Sequence, residues 1–419
     1  MRFTIAAHGT RGDVEPAGAI ARELWRRGHE ITMAVPPNLI EFAMSAGPFS
    51  VVAYGPDSQR QLERPVFRDW YKLRNPLTVF KQVREYATEG WAEMSTTRAT
   101  HATRSDLILG ATTYQELASN VSEALEIPFA ALHYFPLRAN NHLLPIRLPK
   151  RLVNPLWATI EWAHWHLLKP AYDAQRRSLG LPESKIRAAR KIVEQGTLEI
   201  QAYDKLFFPG LEKDWGSKRP LVGAMTLELP TTSDESVMSW IAAGRAPIYF
   251  GFGSMPLDNP DKTVEMIVKV CRELGERALI FAGILGLSDV IIDGNVKIVR
   301  SVNHTKVFPH CRAIVHHGGA GTTAASIRAG VPTLVLWVGA EQPVWAARIK
   351  RLGVGTARRL SKTTEKTLRD DLRTTLGQPC TVKAREVAHQ MTSVSESLNI
   401  TADLLEKHAA NRASRRTAG

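Results

Sequence analysis

Cysteine is scarce. Three residues in 419, Cys271, Cys311 and Cys380, form no C-x-x-C pair and no metal spacing. That excludes a disulfide scaffold and a zinc module, and the three read as reduced thiols in a cytoplasmic protein. No stretch approaches the roughly 20 apolar residues of a membrane span. Any membrane contact is therefore expected to be peripheral. The apolar run "RFTIAA" near the N-terminus is too short for a signal peptide and leads straight into a glycine turn. There is no repeat of solenoid period, and the basic tail "NRASRRTAG" is the one biased segment. Acid is in deficit: 41 Asp and Glu stand against 54 Lys and Arg, a net charge of +13. Such a balance attracts anions, whether nucleotides, nucleic acid or an acidic membrane face. The basic residues are dispersed and come with no zinc spacing or single-stranded RNA motif, which argues against nucleic acid.

What is present is a regular alternation of strand and helix patterns. "RFTIAA" reads as a buried strand. Pro16 marks the expected start of a helix over "AGAIARELWRR", and Gly28 its end. "EITMAV", a helix over "PNLIEFAMSAG" and the strand "FSVVAY" follow. Residues 58–105 change character, being basic and aromatic without clean strands. "SDLILGA" and "PFAALHY" resume the sheet, and "KLFFPG" is the last expected strand of this half. "LVGAMTLELPTTSDESV" looks like a linker. Beyond it the rhythm restarts with "APIYFGFGS", "RALIFAG", "VKIVRSV", "AIVHHGG" and "PTLVLWV", with helical patterns between them. The expectation is an α/β protein of two facing Rossmann-like domains, with the central cleft as the default site.

The strongest chemical signal is "AIVHHGGAGTTAASIRAG", residues 313–330. A buried strand ends at His316 and His317. Gly318, Gly319 and Gly321 permit close backbone approach, and Thr322 and Thr323 open a helix. Free N–H groups, hydroxyls and the positive helix end around one point make an anion site. No Lys follows the glycines, so this is no Walker loop, and the G-x-G-x-x-G order of a dinucleotide fold is missing too. Glu341 and Gln342 follow the next strand. A carboxylate beside an amide suits sugar hydroxyls, although the pair also reads as a helix start before Pro343. Gly251, Gly253 and Ser254 in "GFGSMP" form a second glycine turn that could meet phosphate. In the first half, "GTRGDVEP" follows a strand in the same way but places an anion, Asp13, in the turn.

"HGGAGTT" followed by an acid–glutamine pair resembles the signature of nucleotide-sugar glycosyltransferases with two Rossmann-like domains, the GT-B type. "GTRGDVEP" is similar to bacterial members that glycosylate antibiotics and lipids. With "IYFGFGSMP", "LEIQAYD" and "ALHYFPLRAN", the chain looks most like mycobacterial glycosyltransferases of the glycopeptidolipid type, over its whole length up to the basic tail. The resemblance implies an acceptor-binding domain over 1–223, a linker over 224–235 and a nucleotide-sugar domain over 236–395. A helix over 396–419 would return to the first domain and carry the basic tail. It implies that Ser254, His317, Gly318, Gly319, Gly321 and Thr322 hold the donor diphosphate. The backbone near Val302 would meet the nucleobase, and Glu341 and Gln342 the sugar. Many members carry Asp where this chain has Glu341, so the preferred sugar stays open. Many members carry a histidine base after the equivalent glycine, and bacterial relatives with the G-D pattern carry an aspartate there. Asp13 would then face the acceptor across the cleft and take the proton of its hydroxyl.

His8, in the turn, and His133, ending "PFAAL", are further candidates on the acceptor side, and each also reads as structural. The helix "LWATIEWAHWHLLKP" carries Trp157, Trp162 and Trp165, preceded by Arg147, Lys150 and Arg151. It reads either as a core-packing helix or as part of a greasy acceptor channel near an anionic membrane. Arg412, Arg415 and Arg416 in the tail fit a solvated tail or the same membrane contact. The reading is an inverting, metal-independent transfer of a sugar from a UDP- or dTDP-sugar to a hydroxyl of a hydrophobic acceptor, a cell-envelope glycolipid or lipopeptide. The nucleotide sugar is a co-substrate, and no cofactor or D-x-D metal cluster is called for. The expected location is the cytoplasm, at the inner face of the plasma membrane. Two alternatives remain open: a nucleotide-sugar epimerase of the same fold and a non-catalytic nucleotide-sugar-binding module. An NAD-type oxidoreductase lacks its glycine fingerprint and acidic partner here.

Overall fold

The computed structural model describes residues 1–64, 76–143, 149–253, 259–281, 283 and 290–417. The chain divides into two compact units, Met1–Leu227 with Thr392–Gly419, and Glu228–Met391.

The first unit is built on six parallel strands: β1 (Arg2–Ala6), β2 (Glu30–Val35), β3 (Ser50–Ala53), β4 (Leu107–Gly110), β5 (Phe129–His133) and β6 (Leu198–Gln201). Their order is β3-β2-β1-β4-β5-β6. Helices cover both faces, so central strands such as β4 and β5 are buried at every position. The order reverses between β1 and β4, whose C-terminal ends are the switch point where open α/β sheets bind ligands. The first helix spans Arg11–Arg26 and so begins five residues before Pro16, which lies inside it. This corrects the expected start and places Asp13 in the first turn. "KLFFPG" is no strand: Lys205–Phe207 is one 3₁₀ turn, whose start Asp204 caps by accepting from the Leu206 N–H at 3.0 Å. β6 lies just before it, in "LEIQ". The helix Val394–Thr417 belongs to this unit. Arg27, the C-cap of the first helix, donates to Asp403 at 2.6 Å and Glu406 at 3.2 Å, and His29 meets Glu406 at 2.8 Å.

The second unit carries seven strands: β7 (Ile248–Gly251), β8 (Ala278–Phe281), β9 (Val290–Ile292), β10 (Val296–Val299), β11 (Ala313–His316), β12 (Thr333–Trp337) and β13 (Gly355–Arg359). The order is β13-β12-β11-β7-β8-β10-β9, and β9 alone runs antiparallel. The two edge strands, β9 and β13, carry weak patterns and were not anticipated. Side chains alternate between two cores, as the pleat demands. Ile248, Phe250, Ala313 and Val315 enter one, while Tyr249 and Ile314 enter the other with Trp240 and Phe308. Here the switch point lies between β7 and β11.

Candidate active site

In the second unit, the C-terminal ends of the neighbouring strands β7, β11 and β12 bring their loops together. His316 ends β11 and is fully buried, and its Nδ1 accepts the Gly318 N–H at 2.9 Å. That bond places the ring proton on Nε2, which is buried without a partner. Burial holds the imidazole far below its ordinary pKa. The His317 ring sits between two glycines. A Cβ on Gly253 would lie 2.6 Å from its Cε1, and one on Gly319 2.6 Å from its Nε2. Burial also pushes His317 down, to about 4, against a smaller opposing effect of the Gly251 backbone. Both histidines are therefore neutral at pH 7. They lend shape and hydrogen bonding to this turn, and the positive potential comes from elsewhere.

It comes from the helix Ala320–Arg328. Gly319 is its extended N-cap, no side chain caps it and its first turn holds no acid. The ladder opens with Thr323 N–H donating to the Gly319 carbonyl at 2.9 Å. The N–H groups of Ala320, Gly321 and Thr322 therefore have no partner within the helix, and they converge where the helix dipole is positive. Gly321 faces open space, with nothing within 4 Å of where its Cβ would be. The half-buried Thr322 hydroxyl makes no hydrogen bond among the described residues. Gly318 is held to glycine twice over: its φ is +95°, and a Cβ would meet Val335 Cγ1 at 2.8 Å.

The same missing Cβ lets the next loop close in, because Gln342 lies 3.3 Å from that position. Gln342 is buried, and its Oε1 accepts from Val338 N at 2.8 Å and Gly339 N at 3.3 Å. With the oxygen fixed, the amide nitrogen is the atom left to donate. Glu341 is the half-buried N-cap of the helix Gln342–Leu352, preceded by Ala340 at φ +53°. The structure thus sets Gly253 and Gly319 against the His317 ring, and Gly318 against Gln342. The Val302 side chain is buried in the core with Trp240 and Phe308, which leaves its backbone as the part able to meet a ligand. Ser254 and Arg147 lie outside the described residues, as do the side chains of Lys150, Arg412, Arg415 and Arg416.

In the first unit, Asp13 is half-buried in the first turn of its helix. Its Oδ2 accepts from Thr10 N at 2.7 Å and Thr10 Oγ1 at 3.1 Å. Its Oδ1 makes no hydrogen bond among the described residues. Burial raises the carboxyl above its ordinary pKa, and the two Thr10 donors pull part of the way back. Gly9, at φ +139°, has no alternative: a Cβ there would lie 2.3 Å from Oδ2. The pattern T-x-x-D at Thr10 and Asp13 is the sequence signal of this helix start. Tyr134, just past β5, was missed. Its hydroxyl donates to the Asp13 carbonyl at 2.6 Å and pins the turn to the far side of the switch point. Tyr86 is nearby too, since burial first and the Asp13 charge second push its phenol up to about 12.

The two other histidines are spoken for. His8 is buried, its Nε2 meets the Pro56 carbonyl at 3.0 Å, and its ring packs edge-on against Tyr54 and Tyr114. His133 is fully buried between two glutamines, with Gln115 Oε1 at 3.1 Å from Nε2 and Gln201 Nε2 at 3.2 Å from Nδ1. Burial drives it down to about 3. Neither ring nitrogen of His133 is left for a ligand. Trp157 and Trp165 pack inward, Trp157 donating to the Asn140 carbonyl at 2.8 Å, whereas Trp162 stands half exposed.

Comparison with known proteins gives the family of the chain. Residues 3–143 match the glycosyltransferase family 28 N-terminal domain. Residues 286–406 match the C-terminal domain of proteins like erythromycin biosynthesis protein CIII. An uncharacterized glycosyltransferase of Mycobacterium leprae is 52% identical, covering 99% of both chains. A sterol 3-beta-glucosyltransferase of Arabidopsis thaliana is 29% identical over 85% of this chain and 60% of its own. Among solved structures, the glycosyltransferase VinC in complex with dTDP superposes with a TM-score of 0.67 at 19% identity, covering 98% of this chain and 100% of that one.

Proposed function

The chain belongs to the GT-B glycosyltransferases, and from that premise we propose that it is an inverting, metal-independent enzyme acting on a UDP- or dTDP-sugar. The acceptor is the hydroxyl of a hydrophobic molecule, a cell-envelope glycolipid or lipopeptide, met at an anionic membrane. The glycine turn and free N–H groups at the helix Ala320–Arg328 hold the donor diphosphate. The Gln342 amide and Glu341 take the sugar hydroxyls. Asp13 serves the acceptor. As the acceptor oxygen bonds to the anomeric carbon, its proton passes to Asp13 Oδ1. The bond from that carbon to the diphosphate oxygen breaks on the opposite face, and the electron pair leaves with the nucleoside diphosphate. One displacement inverts the configuration. The helix N-terminus stabilises the charge that grows on the leaving group.

The observation that carries this reading is the divided hydrogen bonding of Asp13. One oxygen is tied down by Thr10 and the other is open, so the carboxylate is aimed and still able to accept a proton. Its raised pKa makes it a better base than an exposed aspartate. The dTDP in the VinC complex supports a nucleotide donor, and the sterol glucosyltransferase relative supports an apolar acceptor. The test is purified enzyme with UDP- and dTDP-sugars, with and without a lipid extract, read by mass spectrometry. Glycosylated lipid of inverted configuration is expected. An epimerised nucleotide sugar formed without acceptor would overturn the reading.

A further inference from the structure

The helix Lys150–Ser178 is apolar on two sides, and only one of them is covered by described residues. Val153, Trp157, Trp165 and Leu168 are buried against the first unit. The opposite side should then be polar, as on an ordinary surface helix. It is not. Leu152, Leu156 and Ile160 follow one another at i, i+4 and i+8, with exposures of 49%, 37% and 49%. Thr159 and Ala163 fill the gaps between them and are exposed too. Trp162 flanks the row at 50% exposure, its ring leaning on His166 with centroids 4.2 Å apart. At about 100° per residue, Trp162 to Ile160 sweeps roughly 160° of the helix without a charge. Glu161, the one acid between residues 150 and 172, falls opposite that row.

The unpaired charges stand at the margin and carry one sign, since Glu183, exposed in the same segment as Lys185, is taken by Arg177 at 2.7 Å. Arg151 and Lys185 are exposed and Arg187 is half-buried, and none has an acidic partner among the described residues. Arg187 donates to the Ala158 carbonyl at 3.0 Å, which lays the segment carrying Lys185 and the 41%-exposed Ile186 alongside the helix. An aliphatic row, an amphipathic indole at its edge and unpaired cations around it match the interface of an anionic bilayer. Aliphatic side chains enter the acyl boundary, tryptophan rests at headgroup depth and the cations meet lipid phosphates.

We propose that the outward face of this helix docks the enzyme on an anionic lipid bilayer. The proposal rests on the reading of a lipid acceptor, because docking gives a membrane-dissolved hydroxyl its route to the enzyme. It makes a separate claim, about a surface that need take no part in chemistry.

The test is co-sedimentation of the full chain with vesicles of phosphatidylglycerol and phosphatidylcholine, and with phosphatidylcholine alone, at low and high salt. The wild type is expected to bind the anionic vesicles and to bind less as salt rises. Leu156→Glu/Ile160→Glu changes two side chains already open to water, so the fold stays intact, as a thermal melt verifies. It should bind about tenfold more weakly or worse. Arg151→Glu/Lys185→Glu should remove the preference for anionic vesicles. Equal binding by the apolar variant and the wild type, or no binding by the wild type, overturns the proposal. So does a wild-type dimer that the apolar variant dissociates, which would give the face to a second copy. Transfer to detergent-dispersed acceptor, measured on the same samples, separates the two claims. Activity without vesicle binding removes only the docking face, and vesicle binding without activity removes only the enzyme reading.

Discussion

Replacing Asp13 with Asn separates binding, chemistry and stability in one variant. Asparagine keeps the size of the side chain and an oxygen that can still accept from Thr10, so the turn should persist. The base is gone. General-base assistance is worth about 10²–10⁴ in rate, or roughly 2.7–5.5 kcal/mol of barrier. kcat should therefore fall by at least about a hundredfold. The donor dissociation constant, by calorimetry, should not change, because the diphosphate turn is in the other unit. Stability should move the opposite way. The folded carboxyl has a raised pKa, so its protonated form suits the fold better than its ionised one. That stabilisation is complete below the unfolded pKa and is lost as pH rises through the folded value. At pH 7 the wild type carries a half-buried charge that Asp13→Asn removes, so the variant should melt higher, with the gap closing at acid pH. The wild-type rate should fall as pH drops through the same raised pKa. A variant keeping a tenth or more of kcat, or losing donor affinity in step with rate, refutes the assignment of Asp13 as base.

The donor turn allows a contrast between two glycines. Gly321→Ala meets open space and should keep its melting temperature or raise it, since Ala favours helix by up to about 1 kcal/mol, while donor affinity drops. Gly318→Ala forces a Cβ onto Val335 at positive φ and should cost roughly 1–3 kcal/mol of stability as well. Gln342→Ala strands the Val338 and Gly339 N–H groups and should destabilise by about 1–3 kcal/mol in denaturant titration. Gln342→Glu keeps the accepting oxygen but puts a charge at a buried position, so it should raise the KM for donor and lose stability as pH rises. His133, His316 and His317 are all buried neutral with lowered pKa values. Their stabilisation is complete above about 6.5 and is lost as pH falls below it, each adding a slope of up to about 1.4 kcal/mol per pH unit until its folded pKa is reached. Chemical denaturation between pH 7 and 5 should show this loss, and a flat profile would contradict the buried neutral state.

Much of this molecule could be read from local pattern. Continuous apolar runs such as "DLILGA" and "AIVH" announced buried parallel strands because both faces of such sheets are covered. The glycines of "HHGGAGTT" announced a turn closing onto a helix start, because few other residues permit positive φ or so close an approach. Strands were misjudged where the local signal was weak or false. "KLFFPG" is apolar but is folded into one turn by the Asp204 cap, and the polar β13 pairs only because β12 offers it an edge.

The sequence by itself determined the two alternating sheets, the glycine turn that opens onto a helix start and the placing of Asp13 beside a glycine. Tertiary structure alone decided what state each group is in. Nothing in the pattern of "VHHGG" tells the charge of His316 and His317, and it is burial in the folded chain that makes both neutral. His133 reads from the sequence either as an acceptor-side residue or as structural, and in the fold Gln115 and Gln201, distant in sequence, take both of its nitrogens. Leu152, Leu156 and Ile160 have the spacing of a core stripe, and only the folded chain shows that they are exposed, with no described residue packed over them. Periodicity sets which residues share a face, but burial depends on partners brought together from far along the chain.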